Sequence, residues 1–181
     1  MHHGNAPKGS EMVSIAVKQD GMVRAAVAVP IFRYRGEWRL LLIRRAETLT
    51  HHRGQYAFPG GRWEASDKSL WHTARREAEE ELGWDQAEMR LLAVLPFQIT
   101  ATSGFYMQPF LVQMPWPLLA RPQPAEVAGV IAPPITFFAA HHHQASVQPG
   151  GPCYSYRTHT IWGATARVIH GLMAVLGGRL Q

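Results

Sequence analysis

The sequence predicts an α/β domain in which helices pack in layers against a mixed β-sheet. Apolar and β-branched runs of strand length stand on both sides of one well-defined helical pattern. A second helical pattern lies near the end of the chain. The chain has 181 residues, of which 46% are apolar and 17% are charged, so it fits one domain with a substantial core. Strands followed by a helix, further strands and a final helix favour a layered α/β architecture.

The chain begins with polar residues and then shows two strand patterns. Residues 1–21 lack periodicity, so we expect a flexible N-terminal arm there and a single domain over residues 22–181. Residues 24–32 are small or β-branched and residues 38–45 are apolar at their centre, which predicts two buried strands joined by a short turn. Pro30 favours a sheet edge or a strand end for the first of them, because proline has no N–H for a sheet ladder.

The clearest single element is a helix over residues 68–82. Residues 46–61 before it are polar and end in Phe-Pro-Gly-Gly, which we interpret as a loop closed by turn residues. Ser66 or Asp67 is placed to cap the helix N-terminus with a side-chain oxygen. Gly83 stands where a left-handed residue often ends a helix.

The second half of the chain predicts further strands and a closing helix. The expected elements are strands at 90–99, 106–114 and 153–162, a short apolar run at 127–132 within a proline-rich loop region, and an amphipathic helix at 164–176. The histidines at 141–143 have no regular metal-ligand spacing, and we interpret them as part of a polar loop.

The charges of the chain indicate which kinds of molecule it binds. The net charge of +5 favours an anionic partner such as a phosphate ester, a nucleic acid or a membrane surface. Arginines crowd residues 33–62, whereas acidic residues crowd 64–88, and Glu126 is the one acid after that point. We expect no nucleic-acid partner, because the sequence shows no platform of interleaved basic and aromatic residues. An acidic cluster in a basic chain therefore calls for its own explanation.

Membrane and disulfide-based classes are not favoured. The longest strongly apolar runs are far too short to cross a bilayer, and no apolar signal segment follows the polar start, so we expect neither a membrane partner nor secretion. The single cysteine, Cys153, excludes an internal disulfide and a multi-cysteine metal site, and we expect it to be structural. This composition suits a reducing compartment, and a cytoplasmic protein is expected.

The acidic cluster lies on the predicted helix. Successive helix residues rotate by about 100°, so Glu77, Glu80 and Glu81 fall within an arc of roughly 100° while Glu79 points away. Their position near the helix C-terminus opposes the helix dipole, so helix stability does not explain it. A solvated acidic face is one interpretation. The other is a site for a hard divalent cation such as Mg²⁺, which binds carboxylate and phosphate oxygens.

Two motifs in this region resemble a known family. Gly61 followed by Arg-Glu-Ala-Glu-Glu-Glu-Leu-Gly-Trp at 76–84 resembles the Nudix box, although Lys68 stands where the box has a glutamate and Asp67 lies beside it. Leu-Leu-Ile-Arg-Arg-Ala at 41–46 and Gly-Gln-Tyr-Ala-Phe-Pro-Gly-Gly at 54–61 resemble the extra motif of the coenzyme A pyrophosphatase branch. Thr50 replaces the arginine of that motif, with Arg53 close by, and the resemblance covers roughly residues 24–177.

The resemblance implies a fold and a set of roles. The fold would be a Nudix-type α/β/α sandwich with a mixed sheet and a loop–helix–loop catalytic motif. The implied ligands of Mg²⁺ or Mn²⁺ are Glu77, Glu80, Glu81 and a carbonyl of Gly60 or Gly61. Glu80 would bind metal or orient the attacking water, and Arg76 would hold a glutamate by a bidentate salt bridge instead of lying exposed. Glu126, in a Glu-Val pair similar to one in this branch, is a candidate general base or an ordinary surface glutamate.

The remaining implied residues concern the substrate. The expected substrate contacts are Arg45, Arg53, Gln55, Arg62, Phe105 and Tyr106, with core packing as the alternative for the two aromatic residues. The implied reaction is metal-dependent hydrolysis of the coenzyme A diphosphate to 4′-phosphopantetheine and adenosine 3′,5′-bisphosphate. The alternatives are another nucleoside diphosphate derivative, such as ADP-ribose or a dinucleotide, and a non-catalytic nucleotide-binding module. The sequence predicts no oligomeric state.

Overall fold

The computed structural model describes residues 22–100, 104–145 and 150–177, so the predicted arm at 1–21 lies outside the described residues. These residues form eleven strands, three α-helices and a short 3₁₀ helix at Gln86–Glu88. In chain order the elements are β1 (Val23–Tyr34), β2 (Glu37–Leu40), β3 (Leu42–Arg45), β4 (Tyr56–Ala57), β5 (Gly60–Arg62), α1 (Leu70–Leu82), β6 (Arg90–Val94), β7 (Gln98–Thr100), β8 (Phe105–Gln113), β9 (Val127–Ile131), α2 (Ile135–Ala145), β10 (Tyr154–Tyr156), β11 (His159–Ile161) and α3 (Gly163–Gly177).

The largest sheet is mixed and is organised around β1. Its order is β2-β1-β8-β6, with β5 also paired to β1 and β7 to β8. The pairing of β1 with β8 is parallel, whereas the other pairings of this sheet are antiparallel. A second antiparallel sheet has the order β4-β3-β9, and β10 and β11 form a hairpin. The predicted mixed-sheet α/β class is confirmed.

Helices cover both faces of β1, because successive strand residues face opposite sides. Ala26 and Ala28 pack in a core with Ala74 and Ala78 of α1. On the other face a second core joins β1 to α2 and α3, through Val27, Val29, Phe138, Ile169 and Leu172. Their side chains are almost fully buried, which gives the three layers of an α/β/α sandwich. None of the helices in the described ranges is long and apolar enough to span a bilayer.

The prediction that Pro30 marks an edge or an end is wrong, because β1 is a central strand. One side of β1 runs along β8 without interruption, and Pro30 lies opposite Val112 there. The other side changes partner, from β5 over residues 25–27 to β2 over residues 31–34. Pro30 lies between these two ladders, where the absent N–H leaves no sheet partner unsatisfied.

The structure also corrects the segment before α1. Residues 46–61 contain β4 and the start of β5, so the glycines at 60 and 61 belong to a strand and not to a turn. The helix begins at Leu70, and the cap is Ser69, whose side chain accepts a hydrogen bond from the His72 N–H. Capping by Ser66 or Asp67 is therefore wrong. Gly83 is left-handed with φ 66°, and its N–H bonds the Glu79 carbonyl, as expected for a helix end.

In the second half the elements are mostly confirmed with changed bounds. The strand expected at 90–99 is two strands, β6 and β7, and the one expected at 153–162 is the β10–β11 hairpin. The apolar run after residue 126 forms β9, and the closing helix α3 is confirmed. The histidines at 141–143 lie in α2 and not in a loop, because Ile135 and Phe138 anchor this helix in the core.

Candidate active site

The candidate site lies where the last turns of α1 meet β5. Helix α1 packs its alanines against β1, and the small side chains let the helix approach the sheet closely. The two glycines of β5 then run directly beside the carboxylates of the helix. At Gly60 a Cβ atom would collide with the Ala26 carbonyl of β1, and its φ of 153° lies in the region that favours glycine. Close backbone approach therefore requires glycine here.

Glu81 is the most buried acid of the site, with 1% of its surface exposed. Its Oε2 accepts a hydrogen bond of 2.9 Å from the Gly60 N–H. Its Oε1 lies 3.9 Å from Nη1 of Arg45. Burial raises the pKa of Glu81 to about 8, and the charges of Glu77 and Glu126 add to this rise while Gly60 and Arg45 oppose it. Glu81 is thus a buried acceptor whose negative charge is only partly compensated.

Arg45 reaches the same point from β3. Its Nε is buried and has no hydrogen-bond partner within the described part of the chain. A buried donor without a partner is unusual, because native structures satisfy nearly all such groups. The Arg45 guanidinium is therefore an available donor beside Glu81.

Glu77 lies one helical turn before Glu81, against Gly61. Its Oε1 forms an ion pair with Nη1 of Arg76 at 3.0 Å. A Cβ atom at Gly61 would collide with the Glu77 carboxylate, so glycine leaves the space that this side chain occupies. Burial raises the pKa of Glu77 to about 6, with Arg76 opposing the rise and Glu80 and Glu126 adding to it.

Arg76 organises the acidic face and is anchored by Asp67. Its Nη1 lies 3.0 Å from both Glu77 Oε1 and Glu80 Oε2. The bidentate partner is Asp67, which accepts from Nε and Nη2 of Arg76 at 3.1 Å each, so a bidentate bridge to a glutamate is not formed. The Asp67 hydrogen bond and the nearby carboxylates raise the pKa of Arg76, although burial opposes this. Arg76 stays charged and keeps the two glutamates in place.

Asp67 is buried and forms several hydrogen bonds, whereas the sequence indicates only a helix cap or a variant of the motif at this position. Its carboxylate also accepts hydrogen bonds from the Glu64 N–H at 3.0 Å and the Thr73 hydroxyl at 2.8 Å, and it lies 2.9 Å from His72 Nδ1. Burial alone would raise the pKa of Asp67, but these hydrogen bonds and Arg76 hold it well below its usual range. Its neighbours lie at several positions along the chain, so no local pattern predicts this network.

Glu126 approaches the carboxylates from the loop before β9. The loop is fixed to the end of α1, because the Gln123 N–H bonds the Glu81 carbonyl at 2.9 Å. The Glu126 carbonyl accepts from the Ala46 N–H at 2.8 Å. The charge of Glu126 is close enough to raise the pKa of both Glu77 and Glu81. Residue 126 is therefore brought to α1 although it is distant in sequence.

The donor set fits a hard divalent cation. The charges of Glu77 and Glu126 raise the pKa of Glu81, and the charge of Glu126 also raises that of Glu77, so a bound cation would relieve repulsion among these carboxylates. Glu80 shares their helix face but is half exposed and turned toward Arg76. Within the described residues no three acidic, histidine or cysteine side chains are arranged so that they could hold a metal ion as they stand. The acids thus share one face without converging on one point.

The expected substrate contacts do not all lie at one place. Arg45 lies at Glu81, as described above. Arg53 and Gln55 instead line an open groove of about 560 Å³, together with Arg44, Glu47, Gly54, Tyr56, Thr158, His159, Thr160 and Trp162. The Arg62 guanidinium lies 4.9 Å from the ring centroid of Phe105. Tyr106 is buried and stacks on Phe97 at 4.8 Å, which matches its alternative role in packing.

Comparisons with known proteins agree with this geometry. Residues 22–145 match the family model described as "NUDIX domain". The chain is 36% identical over 160 residues to "Uncharacterized Nudix hydrolase NudL" of Photorhabdus laumondii, with 84% of each chain covered. It is 35% identical over 156 residues to the protein of the same name from Yersinia pestis, with 82% of this chain and 77% of that protein covered.

Solved structures show the same fold at low sequence identity. A binary complex of the C. elegans Ap4A hydrolase has a TM-score of 0.60 and 16% identity, with 87% of this chain and 99% of that chain covered. The NUDIX domain of Shewanella oneidensis NrtR, complexed with ADP ribose, has a TM-score of 0.57 and 18% identity, with 88% and 89% covered. These likenesses support the three-layer fold alone.

Proposed function

The chain belongs to the Nudix hydrolase family, which acts on pyrophosphate bonds, and from this premise we propose that its substrate is coenzyme A or a close derivative. The products would be 4′-phosphopantetheine and adenosine 3′,5′-bisphosphate. Hydrolysis of a nucleoside diphosphate derivative follows from the family itself. The coenzyme A assignment is supported by the motif at residues 41–61, which forms β3, the groove loop, β4 and the glycines beside the acidic helix.

We propose that Glu77 and Glu81 hold Mg²⁺ or Mn²⁺, with Glu80 as a further ligand or as the group that orients the attacking water, and with a carbonyl of Gly60 or Gly61 completing the set. When bound, the cation would neutralise charge on the diphosphate and lower the pKa of bound water. The support is the donor chemistry of the site. Glu81 is buried and fixed by the Gly60 N–H, and the charges of Glu77 and Glu126 repel its carboxylate.

The residues of the chain would act as follows. Glu126 would accept the proton of the water that attacks phosphorus, and the bond from that phosphorus to the bridging oxygen would break. Arg45 would donate to a phosphate oxygen through its guanidinium, because about a quarter of this side chain is exposed beside Glu81. Arg76 would keep Glu77 and Glu80 oriented while Asp67 fixes Arg76. The single observation that carries this proposal is buried Glu81 beside Gly60, with Glu77 and Glu126 close to it.

Product analysis tests the proposed substrate. Purified protein is incubated in parallel with coenzyme A, ADP-ribose and a dinucleotide, each with Mg²⁺, Mn²⁺ or EDTA, and products are identified by mass spectrometry. We expect metal-dependent 4′-phosphopantetheine with little cleavage of the other compounds. Preferential cleavage of ADP-ribose would overturn the coenzyme A assignment while leaving the site intact. Nucleotide binding with no product from any compound would indicate a non-catalytic module.

A matched pair of variants tests the acidic site. Glu81→Gln should abolish turnover, because the buried carboxylate is lost while its size is kept. Glu79→Gln is the control, since Glu79 lies exposed on the same helix and away from the site. Undiminished turnover by Glu81→Gln would contradict the metal assignment.

We also propose a cytoplasmic location, supported by the single cysteine.

A further inference from the structure

A polar groove lies on the opposite face of β3 and β4 from the acidic site. It has a volume of about 560 Å³ and is built from the loop before β4, from β4 itself, from β11 and from the residue before α3. Its main side chains are Arg44, Arg53, Tyr56, His159 and Trp162. We call it the Trp162 groove. The hydrolytic step described above uses none of these residues.

The walls of the Trp162 groove are held together by specific bonds. The Tyr56 hydroxyl lies 2.7 Å from Nδ1 of His159 and so joins β4 to β11. The Thr165 hydroxyl donates to the Tyr56 carbonyl at 3.1 Å and joins α3 to the same strand. These contacts link segments that are more than one hundred residues apart in sequence. The groove is therefore a fixed feature of the fold.

The groove adjoins the acidic site across a single strand edge. Arg44 and Arg45 are consecutive in β3, so their side chains face opposite sides, Arg45 toward Glu81 and Arg44 toward the groove. The loop returns to this point, since the Arg45 N–H bonds the Gln55 carbonyl at 3.0 Å. Strand β4 is the outer strand of its sheet. A molecule with its diphosphate at the carboxylates would have to pass over the outer strand β4 to enter the groove.

The lining chemistry selects the kind of group that binds. Arg44 is paired with Glu47 at 2.7 Å, whereas Arg53 has no ion-pair partner in the described ranges. Trp162 exposes 53% of its surface to the groove and solvent. An exposed indole provides a surface on which a nucleobase can stack, and an unpaired arginine can form bidentate hydrogen bonds with a phosphate. The groove thus offers one stacking surface and one free cation.

We propose that the Trp162 groove binds the phosphorylated nucleoside half of the substrate, with the base against Trp162 and a phosphate monoester on Arg53. This inference rests on the proposed function, because it requires the scissile diphosphate to lie at the acidic helix. The uncharged, flexible pantetheine half fits this charged groove less well, since it offers neither an aromatic ring nor an anion. The groove would therefore recognise a phosphate that the reaction does not cleave.

Equilibrium binding of the two expected products tests the proposal without turnover. Calorimetry measures the affinities of adenosine 3′,5′-bisphosphate, adenosine 5′-monophosphate and 4′-phosphopantetheine in the presence of Mg²⁺. We expect Trp162→Ala to weaken both nucleotides about tenfold through lost stacking. We expect Arg53→Ala to weaken the bisphosphate about tenfold and the monophosphate much less. Neither variant should change the affinity for 4′-phosphopantetheine.

Two control variants show whether a loss of nucleotide affinity is specific to the groove. Trp38→Ala and Arg90→Ala remove exposed residues of the same types away from the groove, and circular dichroism checks the fold of each variant. Unchanged nucleotide affinities in both groove variants, or no nucleotide binding by the parent protein at millimolar concentration, would overturn the groove assignment. If coenzyme A is not cleaved but the groove variants still lose nucleotide affinity, the groove assignment stands and the proposed substrate fails.

Discussion

Replacing Glu81 by glutamine should stabilise the metal-free protein while it abolishes turnover. The Glu81 carboxyl is almost fully buried, and burial raises its pKa to about 8, whereas a glutamate in the unfolded chain titrates near its ordinary value of about 4.5. The folded state therefore holds the proton more tightly than the unfolded state. As pH rises from about 4.5 to about 8, the unfolded chain ionises first, and the free energy of unfolding falls.

The size of this change in the free energy of unfolding depends on the pH interval between the two pKa values of Glu81. Each pH unit within it changes the free energy of unfolding by about 1.4 kcal/mol. Between pH 5 and pH 7.5 the native protein should thus lose roughly 3 kcal/mol that Glu81→Gln does not lose. The glutamine Oε1 can still accept the Gly60 hydrogen bond, so the packing is retained. We expect the variant to be the more stable protein at pH 7.5 in EDTA.

Urea denaturation in EDTA, followed by circular dichroism at several pH values, measures this difference. Glu80→Gln serves as the control, because Glu80 is half exposed and its loss should change the stability little. Adding Mg²⁺ at pH 7.5 should stabilise the native protein and leave Glu81→Gln unchanged, since a cation binds only the folded carboxylate site. Equal pH dependence of the native protein and Glu81→Gln in EDTA would refute the burial argument.

Three further predictions concern Asp67, the β5 glycines and His142. Asp67→Asn should lower the free energy of unfolding by about 3 kcal/mol and reduce kcat, because it breaks the buried charge pair that holds Arg76. Asp85→Asn is the control in both assays. An unchanged kcat in Asp67→Asn would show that catalysis does not require Asp67 to hold Arg76. Gly61→Ala should fold but lose activity, because its Cβ atom displaces only the flexible side chain of Glu77. Gly60→Ala should unfold at a much lower urea concentration, because its Cβ atom collides with the backbone of β1. Equal urea midpoints for the two variants would contradict this prediction. Burial and the nearby His170 and His143 lower the pKa of His142, so the unfolded chain binds its proton more readily and stability should fall as pH drops below about 6.5. Urea midpoints at pH 7.5 and 5.5 should differ less in His142→Gln, and an unchanged difference would exclude a role for this residue.

Helix α1 could be predicted from the sequence because its signals are local. Apolar spacing and Gly83 lie within or beside the helix and depend on no distant residue. The facing of Glu77 and Glu81 follows from helix geometry alone. The predicted cap is wrong by two to three positions, because Asp67 bonds to Arg76, Thr73 and His72 and Ser69 caps the helix instead.

Features that depend on distant partners could not be predicted. Strands β4 and β5 have two and three residues and exist because β3 and β1 supply their ladders. The position of Pro30 depends on a change of neighbour along β1, which no periodicity reveals. The histidines of α2 are helical because of core contacts made by residues before them. The Trp162 groove likewise combines residues near 55 with residues near 160.

The alternation of Arg44 and Arg45 along β3 has a consequence for the evolution of substrate range. Under the two proposals above, a mutation of Arg44 on the groove side would change which molecule is held, whereas a mutation of Arg45 would change the surroundings of Glu81. Substrate recognition and hydrolysis would then be affected separately by mutations at two consecutive residues. A directed library confined to the groove side of β3 and β4 can sample new substrates while the hydrolytic machinery is inherited unchanged.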